Sequence, residues 1–161
     1  MPCRPKPLLA LFATVVVALT TSANAEPNGA FSKLAGTWSG SGQMRLEGGR
    51  TENLKCRASY TDRNGGNGLG ISIRCASSAN SVDLHANLKA SGSRVSGDWE
   101  ERQFNAGGNA SGTASGSNIS LAINGGLEGS MSVTTNGGRQ SVSITTRNVP
   151  LKGIQIALAR E

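Results

Sequence analysis

The chain has 161 residues, 16 Lys and Arg against 10 Asp and Glu for a net charge of +6, 22 glycines and 4% aromatic residues. That length suits a single domain. So few aromatics with so modest a charge argue against nucleic acid as a partner, because single-strand binders need stacking platforms and duplex binders a basic stripe.

The first 25 residues carry the three parts of an export signal. Arg4 and Lys6 precede the apolar run LLALFATVVVAL, Leu8 to Leu19, and the stretch ends in the small-residue pattern Ala23-Asn24-Ala25. The 12-residue run is shorter than the roughly 20 residues a bilayer-spanning helix needs, so no transmembrane anchor is expected. Cys3 lies before the run rather than at the cleavage point, which argues against lipid attachment. Removing 25 of 161 residues leaves a mature chain of 136 that starts at Glu26 and, without Arg4 and Lys6, carries +4. The expected location is periplasmic or secreted. Leu, Ile, Val and Phe make up slightly less than the ~20% below which disorder becomes an alternative, so the case for a fold rests on pattern.

That pattern has a period of two. After a lead-in at Ala30 to Leu34, the one stretch with some helical character, nine or ten strands are predicted at about 37–46, 52–60, 69–76, 81–90, 94–103, 108–114, 117–123, 127–134, 139–147 and 153–159. In 81–90, for example, Val82, Leu84, Ala86 and Leu88 alternate with Asp83, His85, Asn87 and Lys89, giving one apolar and one polar face. Turn signals fall between the runs at Ser91-Gly92-Ser93, Asn124-Gly125-Gly126 and Asn136-Gly137-Gly138. With the last as a hairpin turn, Val133 faces Val142 and Met131 faces Ile144; a slip of one residue would turn all four outward. Gly107 to Gly116, GGNASGTASG, reads as a flexible loop or a weak strand, and its alternation of polar residues with Ala and Gly favours the strand. Consecutive hairpins with one apolar face predict an all-β up-and-down meander of 8–10 strands closed into a barrel, which removes exposed edges; a two-sheet sandwich is the alternative.

The two cysteines outside the extreme N-terminus fit this frame. A turn centred between Gly65 and Gly66 pairs Tyr60 with Ile71, Ala58 with Ile73 and Cys56 with Cys75. Leu54, Cys56, Ala58 and Tyr60 then share the inner face with Ile71, Ile73 and Cys75. Opposed residues of an antiparallel pair lie close enough for a disulfide, and export supplies an oxidising compartment. A Cys56–Cys75 bridge is therefore predicted as scaffolding, in preference to a metal or redox motif.

Chemistry-bearing residues are sparse. His85, the only histidine, stands beside Asp83 on a polar strand face, and no serine lies in a G-x-S-x-G elbow. Asp98 and Glu100 share a face around Trp99, with Glu101 adjacent, and read as neighbours of Arg94 and Arg102 rather than as catalytic carboxylates. No catalytic set, metal-ligand set or cofactor motif is recognised, and an enzyme is not expected. On the outer face of the cysteine hairpin, Lys55, Arg57 and Arg74 cluster, with Arg57 opposite Arg74. Like charges facing each other suggest a seat for an anion such as lipid phosphate; the plainer reading is a solvated basic face.

Leu34-Ala35-Gly36-Thr37-Trp38 resembles the G-x-W opening of the calycin barrels, the lipocalins and avidins, and Gly97-Asp98-Trp99 is a second G-x-W. The resemblance implies a barrel with a tryptophan across its floor and a mouth for a small ligand. Ala35-Gly36-Thr37-Trp38 with a lone cysteine pair is also similar to small periplasmic protease-inhibitor barrels. The expectation is an exported, non-catalytic barrel binding a small apolar or amphipathic molecule, with Trp38, Met44, Tyr60, Trp99 and Met131 as interior contacts. Its alternative is an envelope protein-interaction module, with lipid or protein as partner. Few bulky inward residues are expected to leave the interior partly unfilled.

Overall fold

The computed structural model describes residues 29–161, so the export signal and the start at Glu26 lie outside the described residues. Ten strands follow one another: β1 (Gly36–Leu46), β2 (Thr51–Arg63), β3 (Gly68–Ala76), β4 (Ser81–Ser91) and β5 (Arg94–Glu101) form the first half. The second half is β6 (Ala106–Ser115), β7 (Asn118–Gly125), β8 (Glu128–Asn136), β9 (Arg139–Arg147) and β10 (Leu151–Arg160). Each strand pairs antiparallel with the next, and β10 returns to β1 with Met44 opposite Ile154 and Trp38 opposite Arg160. The meander is thus a closed barrel rather than a sandwich. Its closure leaves no strand edge unpaired.

Alternation puts the inward residues of every strand in one core, from Trp38 on β1 to Leu158 on β10. Predicted registers hold: Cys56 faces Cys75, Met131 faces Ile144 and Val133 faces Val142. The Cys56 and Cys75 sulfurs are bonded, closing a 19-residue separation. At the hairpin between β8 and β9, Gly137 takes φ 57°, the left-handed region that glycine enters without a Cβ clash.

GGNASGTASG supplies most of β6, as the strand reading required. Its inward Gly112 lies so close to β7 that a Cβ there would sit 1.9 Å from the Ser120 carbonyl oxygen. Such glycines let strands bend sharply enough for a sheet to close.

The lead-in at Ala30 to Leu34 is not a helix. Ser32 N–H donates to the Gly29 carbonyl and Leu34 N–H to that of Phe31, two successive turns, while Phe31 N–H donates to Gly66 on the β2–β3 loop. Gly29 packs directly on Gly66, where a Cβ would meet the Gly66 carbonyl carbon at 2.2 Å, and this approach fixes the segment as a strap rather than a helical turn. The strap crosses one end of the barrel and inserts Phe31 and Leu34 into the core.

Candidate functional site

The two ends of the barrel differ. At the strapped end, Trp38 is fully buried; its indole N–H donates to the Leu34 carbonyl at 3.0 Å. The Arg160 guanidinium stacks over the same ring, 4.2 Å from its centroid, and donates to the Ala35 and Lys33 carbonyls at 2.6 and 2.8 Å. Nearby, the Tyr60 hydroxyl donates to Gln140 Oε1 at 2.7 Å and Gln140 Nε2 donates to Thr135 Oγ1 at 3.2 Å. Burial pushes the Tyr60 hydroxyl far above its ordinary pKa, so it stays a neutral donor. Trp38 and Tyr60, expected to touch a ligand, instead build a sealed floor whose polar atoms are already paired.

The opposite end is softer. Trp99 and Met131 lie there on β5 and β8, Trp99 beside Ala86 and Gly108, Met131 beside Leu121 and Ile144. Their surroundings keep the largest residual exposure of the apolar core, 7% at Leu84, 8% at Ala86 and 9% at Ile144. The Trp99 N–H donates to the Asn124 carbonyl at 3.3 Å. Met44 is closed over, at 1% exposure. Inward glycines such as Gly112 draw neighbouring backbones together where larger side chains would hold them apart.

The rim of the softer end carries a buried carboxylate. Glu101, 7% exposed, accepts the backbone N–H groups of Asp83 at 2.6 Å and Phe104 at 2.7 Å. It thereby holds the β5–β6 turn, which presents Phe104 to solvent at 57% exposure.

On the outer wall, Arg57 and Arg74 do face each other, and with Lys55 and Asp83 they line a concavity of about 510 Å3. Both are nevertheless engaged: Arg57 pairs with Glu161 at 2.8 Å and Arg74 with Asp83 at 3.1 Å. The expected anion seat is corrected accordingly. The opposed cations are relieved by carboxylates from the chain itself, and of Lys55, Arg57 and Arg74 only Lys55 has no ion pair among the described residues.

Asp83 also accepts from His85 Nε2 at 2.9 Å. Burial works against the Asp83 carboxylate, but hydrogen bonds from Arg74 and His85, with the charges behind them, outweigh it and hold the group below its ordinary range. Ser72 stands directly opposite His85 in the β3–β4 register, on the same outer face. Their side chains make no hydrogen bond in the structure, so Asp83, His85 and Ser72 share a patch without forming a relay. Asp98 and Glu100 separate, one accepting from Asn87 and the other paired with Arg102. Among the described residues no three His, Cys, Asp or Glu side chains are grouped to hold a metal ion.

Sequence reasoning missed Arg160, Gln140 and Glu101. Gln140 and Glu101 had a signal, since each is a polar residue at an inward position of its alternation and must therefore find a partner. Arg160 had none, because its partners come from the far end of the chain.

No protein-family model matches the chain, and no curated protein matches it in sequence. Solved structures do match in shape. Rv2717c from M. tuberculosis superposes with a TM-score of 0.68 at 18% identity, covering 85% of this chain and 98% of that one. The S-type phycobiliprotein lyase CPES from Guillardia theta gives 0.58 at 10% identity, covering 81% and 90%. What they share with this chain is the fold. At such identities the likeness carries the barrel and no residue-level role.

Proposed function

We propose that the protein is an exported, calycin-like barrel that takes the apolar part of a small amphipathic molecule into the half of its interior away from the strap. One observation carries this: the barrel is polarised, with a hydrogen-bonded floor at one end and, at the other, Trp99 beside Ala86 and a flexible methionine, Met131, beside Leu121 and Ile144. Small ligands favour concave, mostly apolar sites, and barrel mouths are a common place for them. Met131 can change rotamer at little cost, which suits a site that must open to fill. A phycobiliprotein lyase shares a barrel of this shape, which is in keeping with a ligand-binding barrel and lends this chain no activity. The reading is non-catalytic.

The test is saturable binding of an acyl-chain probe to delipidated protein, followed through Trp99 fluorescence in a Trp38→Phe background. Ala86→Phe should fill the softer half and abolish binding while the folded spectrum persists. Binding that never saturates, or that Ala86→Phe leaves intact, rules the reading out.

The interaction-module alternative draws on Phe104, exposed on a turn that Glu101 holds in place. It predicts an envelope partner that co-purifies with the wild type and is lost in Phe104→Ser, with probe binding unchanged.

A further inference from the structure

Across the outer wall, Ser59 of β2, Ser72 of β3, His85 of β4 and Glu100 of β5 form one level row in register. In the next row Thr61 and Asn87 flank Gly70, so the floor there has no side chain. Arg63 fills this gap from above: a Cβ on Gly70 would lie 3.2 Å from Arg63 Nη2 and 3.5 Å from Cζ. Its Nη1 donates to Asn87 Oδ1 at 3.1 Å, and Asn87 is itself steadied by donating to Asp98 at 3.3 Å. The result is a concavity of about 250 Å3 lined by Arg63, Arg102, His85 and the hydroxyls of Ser59, Thr61 and Ser72.

Arg63 differs from the other arginines of this wall. Arg57, Arg74 and Arg102 each pair with a carboxylate, whereas Arg63 is positioned by a neutral amide and has no carboxylate within ion-pair distance among the described residues. A guanidinium fixed in place but not neutralised, facing three hydroxyls that can rotate to donate, is suited to an oxygen-rich anion. Charge-assisted donation to such an anion is roughly twice as strong as a neutral hydrogen bond. Carboxylates, with two oxygens, would use the guanidinium fork and leave the hydroxyls idle; a phosphate group offers oxygens to both.

We infer that this concavity is a binding site for a phosphate group, seated on the Arg63 guanidinium above Gly70 with the Ser59, Thr61 and Ser72 hydroxyls around it. The site is independent of the interior reading and stands or falls separately. The Arg102–Glu100 pair on its rim supplies a second guanidinium whose own carboxylate limits the attraction, so affinity is expected to be modest and phosphate-specific rather than merely electrostatic.

The experiment is an NMR titration of the whole mature protein with inorganic phosphate and with glycerol 3-phosphate at constant ionic strength. Saturable shifts confined to β2–β4 and the Arg63 side chain are expected. Arg63→Gln should weaken binding tenfold or more and Gly70→Ser, which displaces the guanidinium, should do the same, while Arg139→Gln on the far wall changes it less than twofold. Flotation with phosphatidylcholine vesicles containing phosphatidic acid separates the sources. Arg63-dependent flotation assigns a lipid headgroup, and binding of the free ester without flotation assigns a soluble ligand. Absence of saturation up to tens of millimolar, or equal loss in Arg63→Gln and Arg139→Gln, overturns the proposal.

Discussion

Tyr60 and Gln140 illustrate what a polar pair costs inside an apolar barrel. The Tyr60 hydroxyl is the donor that satisfies Gln140 Oε1, and Gln140 passes its own N–H on to Thr135. Tyr60→Phe should destabilise by about 1–3 kcal/mol, because it leaves a buried acceptor unpaired. Adding Gln140→Leu and Thr135→Val to that variant should recover much of the loss, since removing every member of a buried polar chain is far less costly than removing one; paired urea denaturation curves measure the difference. Asp83 gives a pH dependence with a definite sign. Its carboxyl is held below the ordinary range in the folded state, so its contribution is present at neutral pH and is lost as pH falls through the acidic range. Asp83→Asn should therefore lower the melting temperature at pH 7 and matter progressively less towards pH 3; a gap that stays constant with pH would mean the charge is not the cause. The Arg74–Asp83 pair was within reach of sequence reasoning, because the β3–β4 register that follows from alternation sets the two opposite each other. Arg57's partner was not, since Glu161 reaches it across β1 only after the barrel closes.

At the scale of elements, the cysteine hairpin was the most legible part of the chain. Alternation on two strands and one turn signal determine its register completely, and the bonded pair follows. Replacing both cysteines with serine should cost roughly 3 kcal/mol in the loop-entropy account, seen as a lower denaturation midpoint that reduction of the wild type reproduces. β6 was harder to read. With only Ala110 and Ala114 as inward side chains that bury fully, it forms because β5 and β7 pair with it on either side, a tertiary cause that local composition does not express. The predicted strands otherwise match the observed ones to within three residues at each end. The strap failed as a helical lead-in for a related reason: the packing of Gly29 on Gly66 joins residues far apart in sequence, and no local propensity encodes that approach.

For the molecule as a whole, the polarity of the barrel could not be read from strands alone. Alternation says which residues face inward, yet not which end is sealed, and it was the strap and Arg160 that assigned Trp38 to a floor rather than a ligand site. Arg160→Ala removes the contact over Trp38 and two donors to strap carbonyls, and should lower stability by about 2–3 kcal/mol. Arg160→Lys should restore little, lacking the planar fork. Hydrogen exchange should show the loss concentrated in the strap and in the β1–β10 seam rather than spread over the molecule.

That seam also governs the order in which the protein can be made. β1 and β10 are partners across almost the whole described chain, so β1 has one open edge throughout synthesis and acquires its second neighbour only when β10 emerges. Pairings of such long sequence separation are slow to form, and a growing sheet with two bare edges invites association with other chains. The contact of Arg160 on Trp38 joins the two ends of the described chain, and the time before it can form is when a holding chaperone would have most to protect.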